Sequence, residues 1–214
     1  MRPYLTALKA GQAEQTIERS RFIGYVIPAG TVGECEEFFE RIRKEHRQAT
    51  HNVPAYSLGE GAALQWAGDD GEPRGTSGAP IVHMLAQEGI SDVAVMVTRY
   101  FGGVKLGTGG LVRAYTGTAK LAIAAAGLGT VSEKLVLVVS ADYMGYNRLE
   151  AAAGKAYIIE RTTFADVVTA SLVCEPELRE EAESRIRAAC PSARFVGEST
   201  ERVTIPLSPE TVEQ

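Results

Sequence analysis

Within the forty residues from Val93 to Ser132 the only charged side chains are Arg99, Lys105, Arg113 and Lys120, in a chain of formal net charge −5. Gly102, Gly103, Gly107, Gly109 and Gly110 crowd the stretch between Arg99 and Arg113, with Thr108 among them. Cations and bare backbone amides are what an anion requires. Glycine permits positive φ and close approach, and a helix starting near Leu111 would point its positive dipole end at the same place. Tyr100, Phe101 and Tyr115 add aromatic faces that can stack on bases while Arg and Lys track phosphates. This segment is therefore the candidate anion or nucleic-acid site. It contains neither a Walker A loop nor a strict G-x-G-x-x-G turn, and glycines that serve only to pack a helix against a sheet would look the same. Tyr100 and Phe101 also suit apolar anchoring of a protein partner.

A second polar segment, DDGEPRGTSGAP at 69–80, follows a short strand. Asp69, Asp70 and Glu72 offer the oxygens a hard cation such as Mg²⁺ takes, although the spacing is not that of an EF-hand loop. Each residue also has a structural reading: Asp70–Gly71 is a turn signal, and Thr76 or Ser77 can cap the next helix, which is expected to start near Pro80 after a loop from Gly68 to Gly78. A polar loop of this length between strand and helix is nevertheless a place where function concentrates. His51, in THNVPAY, can donate a hydrogen bond to a ligand or simply finish a strand. None of His46, His51 and His83 has a local Ser or Cys nucleophile, so no triad and no catalytic residue is assigned. No metal site is assigned either.

These segments need a scaffold. RFIGYVIP at 21–28 reads as the first strand, and Thr31 with Glu34 forms a capping box opening a helix through Arg47, with Val32, Cys35, Phe39 and Ile42 on one face. Strands at 55–58 and 63–66 pair across GEGA, with Trp66 as a core or hairpin residue, and the apolar run 93–97 predicts a strand buried on both faces. After the glycine turn, Leu111, Tyr115, Thr118, Ala122 and Ala125 recur at helical spacing, with Arg113 and Lys120 on the other side. Gly127, Gly129 and Thr130 then suggest a short linker. Beyond it the order strand (135–140), helix (145–156), two strands (157–163, 167–173), helix (176–189), strand (194–206, with a turn at Glu198) is βαββαβ. The acids Glu180, Glu181 and Glu183 face outward on the last helix as a solvated surface.

The 214 residues exceed one average domain, and the charge is uneven: residues 1–130 carry 13 basic and 13 acidic side chains, the remainder 9 and 14. No apolar run approaches a membrane span and the N-terminus lacks a secretory apolar region, so a cytoplasmic, membrane-free protein is expected. Cys35, Cys174 and Cys190 include no C-x-x-C pair, and neither disulfides nor zinc are expected. The acidic second half argues against a general nucleic-acid coat and for a confined contact. Nothing in the sequence specifies an oligomer, and a monomer is compatible with it.

DDGEPRGTSGAP and VTRYFGGVKLGTGGLVRAY (97–115), preceded by THNVPAYSLG, resemble the signature of the YigZ/IMPACT family, also called uncharacterised protein family 0029. The resemblance implies an α+β chain with an N-terminal domain over 1–128 of the ribosomal protein S5 domain 2-like fold. It further implies a ferredoxin-like domain over 132–214, akin to the last domain of elongation factor G. Eukaryotic relatives regulate translation initiation under amino-acid starvation with the help of an extra RWD domain. What this implies here is a non-enzymatic regulator of translation or stress response that binds RNA, the ribosome or a translation-associated protein without a cofactor. The alternative is a phosphate- or nucleotide-binding enzyme or sensor using the same glycine-rich loop with Mg²⁺, since the S5-like fold is shared with small-molecule kinases.

Overall fold

The computed structural model describes residues 2–207. The chain divides into two compact units, one holding residues up to Val131 together with those from Thr204, the other Ser132–Val203. The final residues assigned to the second domain by sequence, 208–214, lie outside the described residues.

The first unit opens with β1 (Tyr4–Ala7) and β2 (Gly11–Ile17), followed by β3 (Ser20–Pro28) and α1 (Val32–Glu45). These two leading strands correct the expectation that 21–28 is the first strand; β2 pairs with β3, and β1 belongs to the other sheet. In β2 half-buried and exposed positions alternate along GQAEQTI, and its inward residues are mostly small or polar, so its periodicity is weak in sequence. The capping box of α1 is present: Thr31 Oγ1 accepts from Glu34 N, and Glu34 Oε2 accepts from the Thr31 and Gly30 amides. There follow β4 (His51–Leu58), β5 (Leu64–Ala67), α2 (Gly78–Gln87), β6 (Val93–Tyr100) and α3 (Gly107–Ala126).

The strands form the antiparallel order β2-β3-β6-β4-β5. Both faces of its centre are covered. Phe22, Val26, Val53, Val95 and Val97 pack with Ile81, Leu85, Leu111 and Tyr115 on the α2 and α3 side, while Ile23, Tyr25, Tyr56 and Met96 pack with Cys35, Phe38, Phe39 and Ile42 of α1. This is why Val93–Arg99 is buried at every position although its neighbours are antiparallel. Gly24 sets the approach of α3: a Cβ there would lie 2.6 Å from the Thr118 carbonyl oxygen.

β7 (Leu128–Ala141) carries the chain from one unit to the next. The expected linker is thus absent: Gly127 caps α3 and Gly129 and Thr130 lie in β7, where Leu128–Val131 pairs with β1. The second unit continues with α4 (Tyr143–Ala152), β8 (Ile158–Phe164), β9 (Val168–Cys174), α5 (Arg179–Ala189) and β10 (Arg194–Pro206), which runs unbroken through Glu198. Element order is βαββαβ, with β9 between β7 and β8, and β10 paired with β7. Leu137, Leu149, Leu172, Ala182 and Ile186 fill its core. All three cysteines are buried and unpaired, and burial pushes the Cys35 thiol up to about 11.

Candidate functional site

Strand register builds the floor of the site. Arg99 of β6 lies opposite Phe22 of β3 on one side and His51 of β4 on the other. Directly opposed residues share a face of the sheet, and this row faces α3, where Phe22 meets Tyr115 edge-on with ring centroids 5.4 Å apart. The acid of the polar segment closes on the same row. Glu72 Oε1 accepts from Arg99 Nη1 at 2.6 Å and from Tyr115 Oη at 2.7 Å.

Arg99 is only 4% exposed, so it is not the open surface cation expected from sequence. Its guanidinium lies 5.3 Å from the ring centroids of both Phe22 and Phe101, and Nη2 donates to Ser20 Oγ at 3.3 Å. Nε has no partner among the described residues. Burial, then the hydrogen bond to Glu72, pushes the Tyr115 phenol far up, so it remains a neutral donor. His51 Nδ1 lies 2.7 Å from the Asp70 carbonyl oxygen and can only donate to it, which leaves Nε2 facing Glu72 Oε1 at 3.7 Å.

Above this floor is a cavity of about 420 Å³ lined by His51, Glu72, Arg99, Phe101, Lys105, Gly107 and Thr108, with Thr50 at its edge. The structure thus joins the two sequence segments and His51 in one concave place. Its wall is the start of α3, and here the expected helix start is corrected. Gly107–Gly110 are the first turn of α3, not a loop preceding Leu111. No side chain caps that turn and no acid lies in it, so its leading amides face outward with the positive end of the dipole. The glycines divide by role. Gly103 and Gly107 have φ of +88° and +70°, which only glycine adopts readily, and Gly109 is exposed. Gly102 is a packing residue, because a Cβ there would lie 1.9 Å from the Arg19 carbonyl oxygen, and Gly110 sits against Leu106.

Other expected members are sent elsewhere. Tyr100 and Phe101 are split by strand alternation: Phe101 lies at the cavity, 46% exposed, whereas Tyr100 turns to the α1 face and meets His46 Nδ1 at 2.9 Å. They cannot act as one paired anchor. Arg113 is exposed beside Gly109 but does not line the cavity, and Lys120 pairs with Glu88. Of the expected cations, Lys105 lines the cavity and Arg113 stands outside it beside Gly109.

The polar segment is largely self-engaged. Asp69 Oδ1 accepts from Ser77 Oγ at 2.7 Å and from the Gly78 amide at 3.1 Å, and Oδ2 accepts from the Gly75 amide at 2.7 Å. Burial pushes the Asp69 carboxyl up, but these hydrogen bonds outweigh it and hold it below its ordinary value. Asp70 Oδ2 accepts from the Asn52 amide at 2.5 Å, Asp70 and Gly71 take φ of +45° and +86°, and Thr76 Oγ1 donates to the Pro73 carbonyl at 2.6 Å. The Mg²⁺ reading of Asp69, Asp70 and Glu72 finds no support in this geometry: both Asp69 oxygens, Asp70 Oδ2 and Glu72 Oε1 already accept from N–H and O–H donors. No group of three metal-ligating side chains occurs among the described residues. Sequence reasoning missed Ser20, whose hydroxyl meets Arg99 and the Gly102 amide, and Thr50, whose hydroxyl accepts from the Phe101 amide; these contacts span dozens of residues and carry no local signal.

A two-unit α+β chain whose first unit holds a cationic helix start over a buried Arg–Glu–Tyr cluster is the class of protein that these features define. The Impact N-terminal domain model matches residues 18–123. The chain is 43% identical over 149 residues to the IMPACT family member YvyE of Bacillus subtilis, covering 69% of this chain and 68% of that protein. It is 33% identical over 162 residues to the IMPACT family member of Haemophilus influenzae, covering 75% and 78%. The chain belongs to the IMPACT family. A crystal structure titled as that of a hypothetical protein shares the fold, with a TM-score of 0.59 at 24% identity over 98% of this chain and 99% of that one. No helix among the described residues is long and apolar enough to cross a membrane.

Proposed function

We propose that this chain is a non-enzymatic, cytoplasmic regulator of translation that binds RNA on or near the ribosome, seating one phosphate at the start of α3. The observation that carries the reading is the uncapped, acid-free first turn Gly107–Gly110 opening on a cavity with Lys105 and Phe101 at hand. Backbone amides take the phosphate, Lys105 and Arg113 neutralise it, and Phe101 offers a stacking face to an adjacent base. With Lys105 as the one unpaired cation among the described residues lining the cavity, the contact is confined, in keeping with the acidic remainder of the chain. The fold that accompanies this reading is an S5 domain 2-like domain over 1–128 and a ferredoxin-like domain over 132–214; the βαββαβ order and the placement of β9 between β7 and β8 support the latter.

Binding to ribosomes and structured RNA at ~50 mM salt tests it, because phosphate contacts are strongest there. Affinity is expected to fall as salt rises and to drop in Lys105→Ala and Arg113→Ala. Absence of binding at that salt discards the reading. The concavity favours a second reading, a small phosphorylated ligand such as a nucleotide, with His51 in the cavity wall as a polar contact for it. A thermal-shift panel of nucleotides distinguishes the two: stabilisation that Lys105→Ala removes selects the small ligand.

A further inference from the structure

The opposite side of the first unit carries a groove unrelated to the cavity above. It has a volume of about 470 Å³ and is lined by Glu36, Phe39, Glu40 and Arg43 of α1 and by Tyr56 and Trp66. Trp66 stacks on Tyr56 with centroids 5.8 Å apart and planes at 27°, and lies 6.4 Å from Phe39. It is nevertheless 47% exposed, as is Leu64 two residues earlier on the same face of β5.

β5 is the outer strand of its sheet, with β4 as its one strand neighbour among the described residues. Its residues, Leu64-Gln65-Trp66-Ala67, include no charge and no proline, the usual devices that prevent a sheet edge from pairing. The Gly68 amide donates to the Pro54 carbonyl oxygen at 3.1 Å. By the alternation of an antiparallel ladder, the Trp66 amide faces β4 and those of Gln65 and Ala67 face outward. An added strand would therefore find unpaired donors, and every second side chain of it would lie on the face of Trp66.

Charge selects the occupant. From Val32 to Glu40, α1 carries Glu34, Glu36, Glu37 and Glu40 and no base. Glu34 is used in the capping box, and Arg43 answers Glu40 at 3.5 Å. Glu36 has no ion-pair partner among the described residues. An electron-rich indole beside an unpaired carboxylate attracts an ammonium or guanidinium group. A second copy of this chain would instead bring its own acidic α1 to the same groove. We infer that the β5 edge and the Trp66–Glu36 groove form a docking site for an extended, basic segment of a partner protein, which adds as a strand and places a Lys or Arg over Trp66.

Trp66 is the single tryptophan of the chain, so its fluorescence reports the site directly. The full chain is titrated with a short alternating Lys-Val peptide and with its Glu-Val counterpart. A saturable change in emission is expected with the first and none with the second. The double variant Glu36→Gln, Glu40→Gln is expected to weaken binding about three- to tenfold, the range for two exposed ionic contacts. Gln65→Pro, which removes an outward amide, is expected to abolish it, with far-UV circular dichroism confirming the fold. If Gln65→Pro fails to fold, the glutamine double variant decides. No response to the basic peptide, an equal response to the acidic one, or unchanged affinity in the double variant overturns the inference. Concentration-dependent self-association detected by sedimentation and lost in Gln65→Pro overturns it too, by assigning the edge to a second copy.

Discussion

Glu72 and Arg99 stand 27 residues apart in sequence and meet at 2.6 Å with side chains only 3% and 5% exposed. The pair ties the polar segment to the last strand before α3 and sets the position of both. A buried pair of this kind is held as much by the cost of leaving either charge alone as by attraction between them. Glu72→Gln and Arg99→Met are each expected to destabilise the chain by about 3–5 kcal/mol. Urea denaturation checks this, and the double variant is expected to lose clearly less than the two single losses combined.

Tyr115→Phe keeps the ring that packs on Phe22 and removes the hydroxyl that donates to Glu72. A loss of about 1–3 kcal/mol is expected, because a hydrogen bond to a charged, buried acceptor disappears with no water to replace it. Thermal denaturation compared with wild type measures it.

Asp69 caps the start of α2, so Asp69→Ala is expected to cost about 0.5–2 kcal/mol at neutral pH. Because its folded-state pKa is depressed, its contribution is complete above the unfolded value of about 3.9 and is lost as pH falls through the folded value. The stability gap between wild type and Asp69→Ala should therefore be constant from neutral pH down to about 4 and narrow in more acid solution. Denaturation midpoints across that range test it.

Burial, with Glu45 nearby, pushes the Tyr25 phenol up to about 12. A raised acid favours the fold while it stays protonated, so this contribution is complete below about 10, the unfolded value, and is lost as pH rises through the folded one. Tyr25→Phe should flatten the alkaline loss of stability between those values. Absorbance titration of phenolate should show Tyr25 and Tyr115 ionising late among the eight tyrosines.

Two glycines of the same segment should respond in opposite directions. Gly102→Ala forces a Cβ to within 1.9 Å of the Arg19 carbonyl oxygen and is expected to destabilise strongly. Gly109 lies in the first turn of α3 with only the tip of Arg113 nearby, at 3.8 Å. Gly109→Ala is expected to raise stability, by up to about 1 kcal/mol, through helix propensity. Melting temperatures of the two variants decide.

Much of the scaffold was legible in the linear order of residues. The Thr31–Glu34 box opens α1 because both partners lie within one turn, and the βαββαβ order of the second unit follows from local periodicity. The anion-prone segment and the polar segment also stand out by composition alone. Tertiary structure decided what those residues do. Arg99 looks like a free cation until register places it between Phe22 and His51 and beneath Glu72. Tyr100 and Phe101 look like a pair until the sheet sends them to opposite faces, and Gly107–Gly110 look like a loop until α3 is seen to begin there. Local patterns record short-range hydrogen bonding and periodicity. Burial, ion pairing and the openness of an amide depend on residues dozens of positions away, which only the packed chain brings into contact.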